Sequence, residues 1–316
     1  MLDSLIFSLN ATIPVFLIMV LGYALKRMGM FGPAFTDVLD RFNFKVTLPI
    51  LLFADLSASD FYEVWDTRFV LFCFLVTVFS IAVAFAISAL VTRDRSLRGE
   101  FTQAAFRSSA AILGIAYAQN IFGNAGMVPL MMLGAVPLYN VMSVIILSLT
   151  APGSGGLDRK NINRAVKGII TNPIIIAIFL GLVFSLVRIP VPGIIMTSLN
   201  TMARMASPLA LIGMGAGFEL GKAVSMLRPS AIASAIKLLL WPCIFLPLGV
   251  SLGFSSQELV AIIIMLGSPT TVSCYIMARN TGHEGVLTSG AVVITLLMSS
   301  VTITFWLFIL RNAGLV

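Results

Sequence analysis

Long apolar runs separated by short polar gaps dominate the chain. A helix that crosses a bilayer needs roughly 20 apolar residues, and the runs predict ten such stretches, over residues 5–25, 39–58, 69–92, 100–121, 126–150, 165–187, 193–218, 230–251, 257–280 and 286–311. They are continuous and do not alternate apolar with polar, unlike the strands of a membrane barrel, which run to about ten residues each. Leu5 to Leu25 is long enough to span and carries neither a basic n-region nor a cleavage site, so it reads as the first helix. The longest gap, Thr150 to Asn163, is rich in Gly, Pro and Ser and sits at mid-chain. It divides the chain into residues 1–150, a connecting loop 151–164, and residues 165–316.

The two halves echo one another. Thr12-x-Pro14 followed by Gly22 recurs as Thr171-x-Pro173 followed by Gly181; Lys45 and Pro49 match Arg204 and Pro208; Ser108 and Asn120 match Ser268 and Asn280; Gly134-Ala-Val136 returns as Gly290-Ala-Val292. Single matches are worthless in a chain so rich in small residues, but their order and nearly constant shift are not. Each half holds five spans, an odd number, so the second copy enters from the opposite side. An inverted repeat of this kind is a signature of secondary transporters.

Two small-residue breaks interrupt the pattern: Arg107-Ser108-Ser109 leading to Gly114, and Gly267-Ser268-Pro269-Thr270-Thr271-Val272-Ser273. A helix can break at membrane depth only where protein or a water-filled cavity satisfies the freed backbone groups. Ser268 is a good N-cap, and Pro269, lacking an N–H, suits the first position of a new helical segment. The second break therefore predicts a half-helix starting at Pro269, with the matching break at Ser108-Ser109. Two half-helix N-termini at the midplane favour an anion. Alternatively Pro269 only kinks its helix and the serines bond back to the preceding turn.

Charge changes this picture at a few positions. The chain is 59% apolar, 10% charged and +7 net, with a mean hydropathy of +1.03, outside the range of soluble domains. Its basic residues form no stripe with interleaved aromatics, which argues against nucleic acid. With alternate loops assigned to one side, fourteen Lys/Arg fall on that side and three on the other, placing both termini outside a bacterial-type inner membrane and the central loop in the cytoplasm. Arg107, Arg204 and Lys237 lie within spans. Arg107 either clamps a carboxylate or snorkels to the interface. Lys45 and Arg204 are candidates for the substrate path. Asp55 and Glu219, near span ends, could bind a coupling H+ or Na+ or be interfacial charges. Asn43, Asn140, Ser299 and Ser300 are candidate cavity liners or helix–helix hydrogen-bonding groups.

Other signals carry little. Three separated cysteines in apolar segments give no disulfide framework, and the single His283, next to Glu284, has no zinc or catalytic partners in sequence. Gly213-Met-Gly215-Ala-Gly217 lacks the strand and spacing of a nucleotide loop and fits close helix packing. No cofactor, metal site or catalytic constellation is expected, and the chain does not read as an enzyme.

The sequence resembles the auxin efflux carrier family. The resemblance rests on Arg41-Phe-Asn43 leading to Leu48-Pro49, Phe106-Arg107-Ser-Ser with Leu113-Gly114, Asn172-Pro173 with Gly181-Leu182, Pro208-Leu-Ala-Leu-Ile212, and Ser268-Pro269 through Ala278-Arg279. It implies an all-α integral membrane protein of ten transmembrane helices in a 5+5 inverted repeat, similar to bile-acid symporters, with broken helices 4 and 9 crossing beside the substrate. It further implies a scaffold of spans 1, 2, 6 and 7, a mobile unit of spans 3–5 and 8–10 that moves as an elevator, and a homodimer through the scaffold. Many relatives carry asparagine, often after proline, where this chain has Ser108-Ser109, so that contact does not transfer. The expected function is secondary active transport of a small organic anion, a mono- or dicarboxylate such as malonate. The alternatives are an uncoupled, auxin-like carboxylate exporter and a non-transporting membrane receptor, the latter disfavoured by the lack of a soluble signalling domain. The expected site comprises Arg107, Ser108, Ser109, Gly114, Ser268, Pro269, Thr270, Thr271, Asn43 and Asn140, with Lys45, Arg204, Asp55 and Glu219 as charge or coupling residues.

Overall fold

A computed structural model describes residues 17–58, 66–109, 118, 121–122, 126–152, 171–217 and 224–316. Gly114, Glu219 and most of the central loop lie outside the described residues.

The described elements are helices. In order they are α1 (17–27), α2 (Pro33–Phe42), α3 (Leu48–Ser57), α4 (Thr67–Val91), α5 (Arg95–Phe106), α6 (Val128–Thr150), α7 (Pro173–Leu186), α8 (Gly193–Ala203), α9 (Ala206–Ala216), α10 (Leu227–Ala235), α11 (Trp241–Ser251), α12 (Ser256–Gly267), α13 (Ser273–Asn280) and α14 (Val286–Asn312). Side-chain caps mark several starts: Asp66 accepts from the Phe69 N–H, Asp94 from Ser96, Asn172 from Ile174, and Ser255 with Glu258 forms a capping box. Among the described residues, three continuous helical stretches are long and apolar enough to cross a bilayer, Thr67–Val91, Leu130–Thr150 and Leu227–Ser251, and a fourth is added by the two limbs of α14. The other expected spans appear as shorter helices, or run into segments not described.

Two helices are widened rather than broken. Wide π turns join α2 to α3 (Asn43–Thr47) and α10 to α11 (Ile236–Leu240), and each ends two residues before a proline, Pro49 and Pro242. Proline has no N–H and its ring collides with the carbonyl four residues earlier, so the helix accommodates it by an i→i−5 turn. The Leu48 N–H accordingly bonds Asn43, and the Trp241 N–H bonds Ile236. The carbonyl left over at Leu238, four residues before Pro242, accepts from the Trp306 indole at 3.0 Å.

Two apolar clusters form the interior. One joins α4, α5 and α6 to α10, α11, α12 and α14 through residues such as Phe69, Phe101, Met131, Trp241, Ile262 and Leu287. The other joins α1, α3, α7 and α9 to α13 through Met19, Leu48, Leu56, Ile174, Met214 and Ile276. α1 and α9 touch backbone to backbone. A Cβ on Gly215 would lie 2.0 Å from the Met19 carbonyl oxygen, and one on Gly22 would lie 2.3 Å from that of Ile212. The Gly213–Gly217 stretch is therefore a packing surface.

Candidate functional site

The site begins where two helices stop. α5 ends at Phe106, and Arg107 turns extended (φ −70°, ψ 143°). α12 ends at Gly267, and Ser268 does the same (φ −67°, ψ 153°), as the residue before a proline is biased to do. The two non-helical segments meet: the Ser109 N–H donates to the Pro269 carbonyl at 2.9 Å.

Both helices arrive at this meeting point by their C-termini, whose last carbonyls have no intrahelical partner. Side chains from neighbouring elements take them up. The Thr270 hydroxyl donates to Ala104 (2.8 Å) and the Trp241 indole to Ala105 (2.8 Å) on α5. On α12, the Tyr139 hydroxyl donates to Met265 (3.4 Å) and the Lys237 ammonium to both Met265 (3.0 Å) and Leu266 (2.6 Å), while the Ser108 hydroxyl adds to Ile264 (3.3 Å), which already accepts the Ser268 N–H.

The expected start at Pro269 is displaced: helix resumes at Ser273. The reason is that Thr270 is tied across the crossing, its N–H donating to the Thr295 hydroxyl and its own hydroxyl to α5, which holds the strand-like segment extended. Among the described residues the Ser268 hydroxyl finds no hydrogen-bond partner, and it does not act as the N-cap.

Beside the crossing lies a cavity of about 100 Å³, walled by Leu48, Leu51, Leu52 and Asp55 of α3, Arg107–Ser109, Val136, Tyr139 and Asn140 of α6, Ala206, Ser207 and Ala210 of α9, and Thr271–Ser273 with Ile276. Arg107 is 3% exposed, enclosed by protein. Its guanidinium donates to the Asn140 side-chain oxygen (2.7 Å), the Ser273 hydroxyl (2.9 Å) and the Met277 thioether (2.7 Å), while its buried Nε has no hydrogen-bond partner among the described residues. A thioether is a weak acceptor. The group is thus oriented by Asn140 and Ser273 and retains hydrogen-bonding capacity.

Of the residues expected from sequence, Arg107, Ser108, Ser109, Thr271, Asn140 and Asp55 come together around the cavity. Ser268, Pro269 and Thr270 are buried in the crossing behind it. Asn43 is elsewhere: its amide donates to the Ala206 carbonyl (2.9 Å) and its side-chain oxygen accepts from Thr47, fastening a π turn to α9. Lys45 and Arg204 are exposed and do not line the cavity. Ser299 bonds back to Leu296. Sequence reasoning missed Tyr139 and Ser207, took Ser273 only as the end of the second break, and gave Lys237 no role. Ser273 lies one turn before Met277 on α13, a spacing visible in sequence, but only the fold brings α5 against that face.

A family model described as "Membrane transport protein" matches residues 7–307. The chain belongs to the auxin efflux carrier family of membrane transport proteins. It is 22% identical over 306 residues to an uncharacterized transporter of Methanothermobacter thermautotrophicus, covering 96% of this chain and 98% of that protein. It is 22% identical over 311 residues to the uncharacterized transporter YfdV of Escherichia coli, covering 97% and 99%. A Rhizobium meliloti protein named "Putative malonate transporter" is 24% identical over 311 residues, covering 96% of each chain. The family and these relatives are transporters, not enzymes, and family and apolar helices together make this a membrane protein.

Proposed function

We propose that this chain is a secondary active transporter of a small organic anion, a mono- or dicarboxylate of about the size of malonate, and that the cavity beside the paired breaks is its binding site. The observation that carries the reading is Arg107: a buried guanidinium facing a small cavity, held by Asn140 and Ser273, with an Nε that has no hydrogen-bond partner among the described residues. Burying a guanidinium is costly, and a carboxylate entering the cavity offsets that cost. Ser108, Ser109, Thr271 and Ser273 supply further polar groups, and Leu51, Leu52 and Ile276 an apolar wall.

In this reading the ten spans form a 5+5 inverted repeat whose fourth and ninth members are the broken ones. The near-equal offset of the two breaks and the bond between them support that. The cluster built on α4–α6, α10–α12 and α14 would be the core of the mobile unit. The cluster built on α1, α3, α7 and α9 would be that of the scaffold, and the substrate sits between them. The name of the Rhizobium meliloti relative makes malonate the first substrate to test.

Proteoliposomes assayed with labelled malonate, succinate and indole-acetate under imposed pH or Na+ gradients test the proposal. Uptake of at least one carboxylate is expected. Arg107→Ala should lower it by about tenfold to a hundredfold, since a hydrogen bond to a charged group is worth roughly 1.5–3 kcal/mol. Arg107→Ala flux at the wild-type rate would remove the site from the proposal.

A further inference from the structure

Lys237 is 0% exposed and lies in the π turn between α10 and α11. Its ammonium is held by two backbone carbonyls, Met265 at 3.0 Å and Leu266 at 2.6 Å, the last turn of α12 before the break. Among the described residues no carboxylate lies within ion-pairing distance of it. A buried ammonium with no carboxylate partner is expensive, so what balances it must be the crossing itself. Two helices end there by their C-termini, α5 and α12, each carrying partial negative charge on its terminal carbonyls. Carbonyls freed at a helix break are also the groups that coordinate a monovalent metal ion in membrane carriers.

We infer that Lys237 is a tethered cation at this position: its ammonium takes the carbonyl site that a coupling metal ion would otherwise fill, so the carrier supplies this positive charge from its own chain and binds its anion without Na+. An ammonium suits this place because it has three donors and no acceptor. Its neighbours do the rest of the satisfying: Tyr139 shares the Met265 carbonyl, and Trp241, one turn after Lys237, covers the Ala105 carbonyl at the end of α5. The crossing thus carries two cations with different duties. Lys237 faces the backbone and neutralises the helix ends, whereas Arg107 faces the cavity. This inference rests on the transport reading only where it concerns Na+; the cation site itself stands on geometry.

Lys237→Ala leaves a space shaped like propylammonium, the part of the side chain removed. In detergent and choline chloride the Lys237→Ala protein is expected to melt several degrees below wild type. Propylammonium chloride at equal ionic strength should restore much of the difference, while 1-propanol, equal in length but neutral, should not; wild type should respond to neither. Lys237→Gln, a neutral donor, is expected to melt with Lys237→Ala. Wild-type melting of Lys237→Gln, an absence of response of Lys237→Ala to propylammonium, or its failure to fold in either salt overturns the tethered cation. Wild-type carboxylate uptake that requires Na+ overturns the replacement of a metal ion. Absence of uptake of every carboxylate in every buffer, with the melting pattern as expected, removes the transport reading and leaves the cation site in place.

Discussion

At the scale of single residues, two opposite charges line one small cavity, Arg107 and Asp55. The sequence placed Asp55 near a span end, where it reads first as an interfacial charge and second as a coupling group; the fold brings it to the cavity wall. In the transport reading a carboxylate on the wall of the same cavity is suited to carry a proton together with the anion, because an unprotonated Asp55 repels the substrate. Asp55→Asn is expected to abolish acceleration of uptake by a pH gradient while leaving exchange of labelled for unlabelled substrate, and the comparison of net uptake with exchange in the same proteoliposomes checks it. His283 shows the opposite case. Unremarkable in sequence, it is 2% exposed, with both ring nitrogens on carbonyl oxygens, Ser96 at 2.9 Å and Leu147 at 3.0 Å, so it ties the loop before α14 to α5 and α6. Nearby, Glu100 of α5 accepts from the Gly285 and Thr288 N–H groups and so caps the start of α14.

At the scale of elements, glycine and proline decide where helices touch and where they stop. Gly215 permits α9 to lie against the backbone of α1, and any side chain there meets the Met19 carbonyl. Gly215→Val is expected to lower the melting temperature by several degrees or prevent folding, since the atom it strikes is backbone and cannot rotate away; overpacking costs about 1–3 kcal/mol. Thermal denaturation in detergent measures this. Pro269 acts differently. Because Ser109 and Thr270 hold the extended segment from outside, the break does not depend on the proline alone. Pro269→Ala should therefore retain the fold and alter transport only by a small factor, whereas Thr270→Val, which removes the bond to Ala104 on α5, should cost more in both melting temperature and uptake.

At the scale of the whole molecule, the elements grouped by the resemblance as scaffold and mobile unit also touch away from the cavity. Arg279 of α13 pairs with Asp37 of α2 at 3.1 Å and approaches Asp40 at 3.8 Å, and the Asn280 amide donates to the Asp40 carbonyl at 3.3 Å. The first pair is partly exposed and adds little stability. Its consequence is geometric: under an elevator motion α13 moves past α2, and these contacts must part in each cycle. Cysteines introduced at positions 37 and 279, in a chain with the exposed Cys243 replaced, and bridged by a short reducible bifunctional reagent should stop uptake, with recovery on reduction. Undiminished uptake by the bridged protein would exclude movement of α13 relative to α2.

The sequence by itself determined the class of the molecule, the apolar runs and the two places where α5 and α12 stop, because these depend on local properties: hydropathy, the missing N–H of Pro269, and small residues where a span should be smooth. It also identified the polar residues of the cavity lining nearest those helix ends, Arg107, Ser108, Ser109 and Thr271, but not the larger, mostly apolar remainder of the wall. What only the tertiary structure decided depends on which backbone groups the breaks leave unsatisfied and which distant side chain reaches them. The start of α13 at Ser273 in place of Pro269 follows from bonds to α5 and α14. The exclusion of Asn43, Lys45 and Arg204 from the cavity follows from the faces that α2, α3 and α9 present to each other. Lys237 was visible only as a charge in an apolar run, because the carbonyls that hold it lie 28 and 29 residues away along the chain and become acceptors only when α12 ends against it.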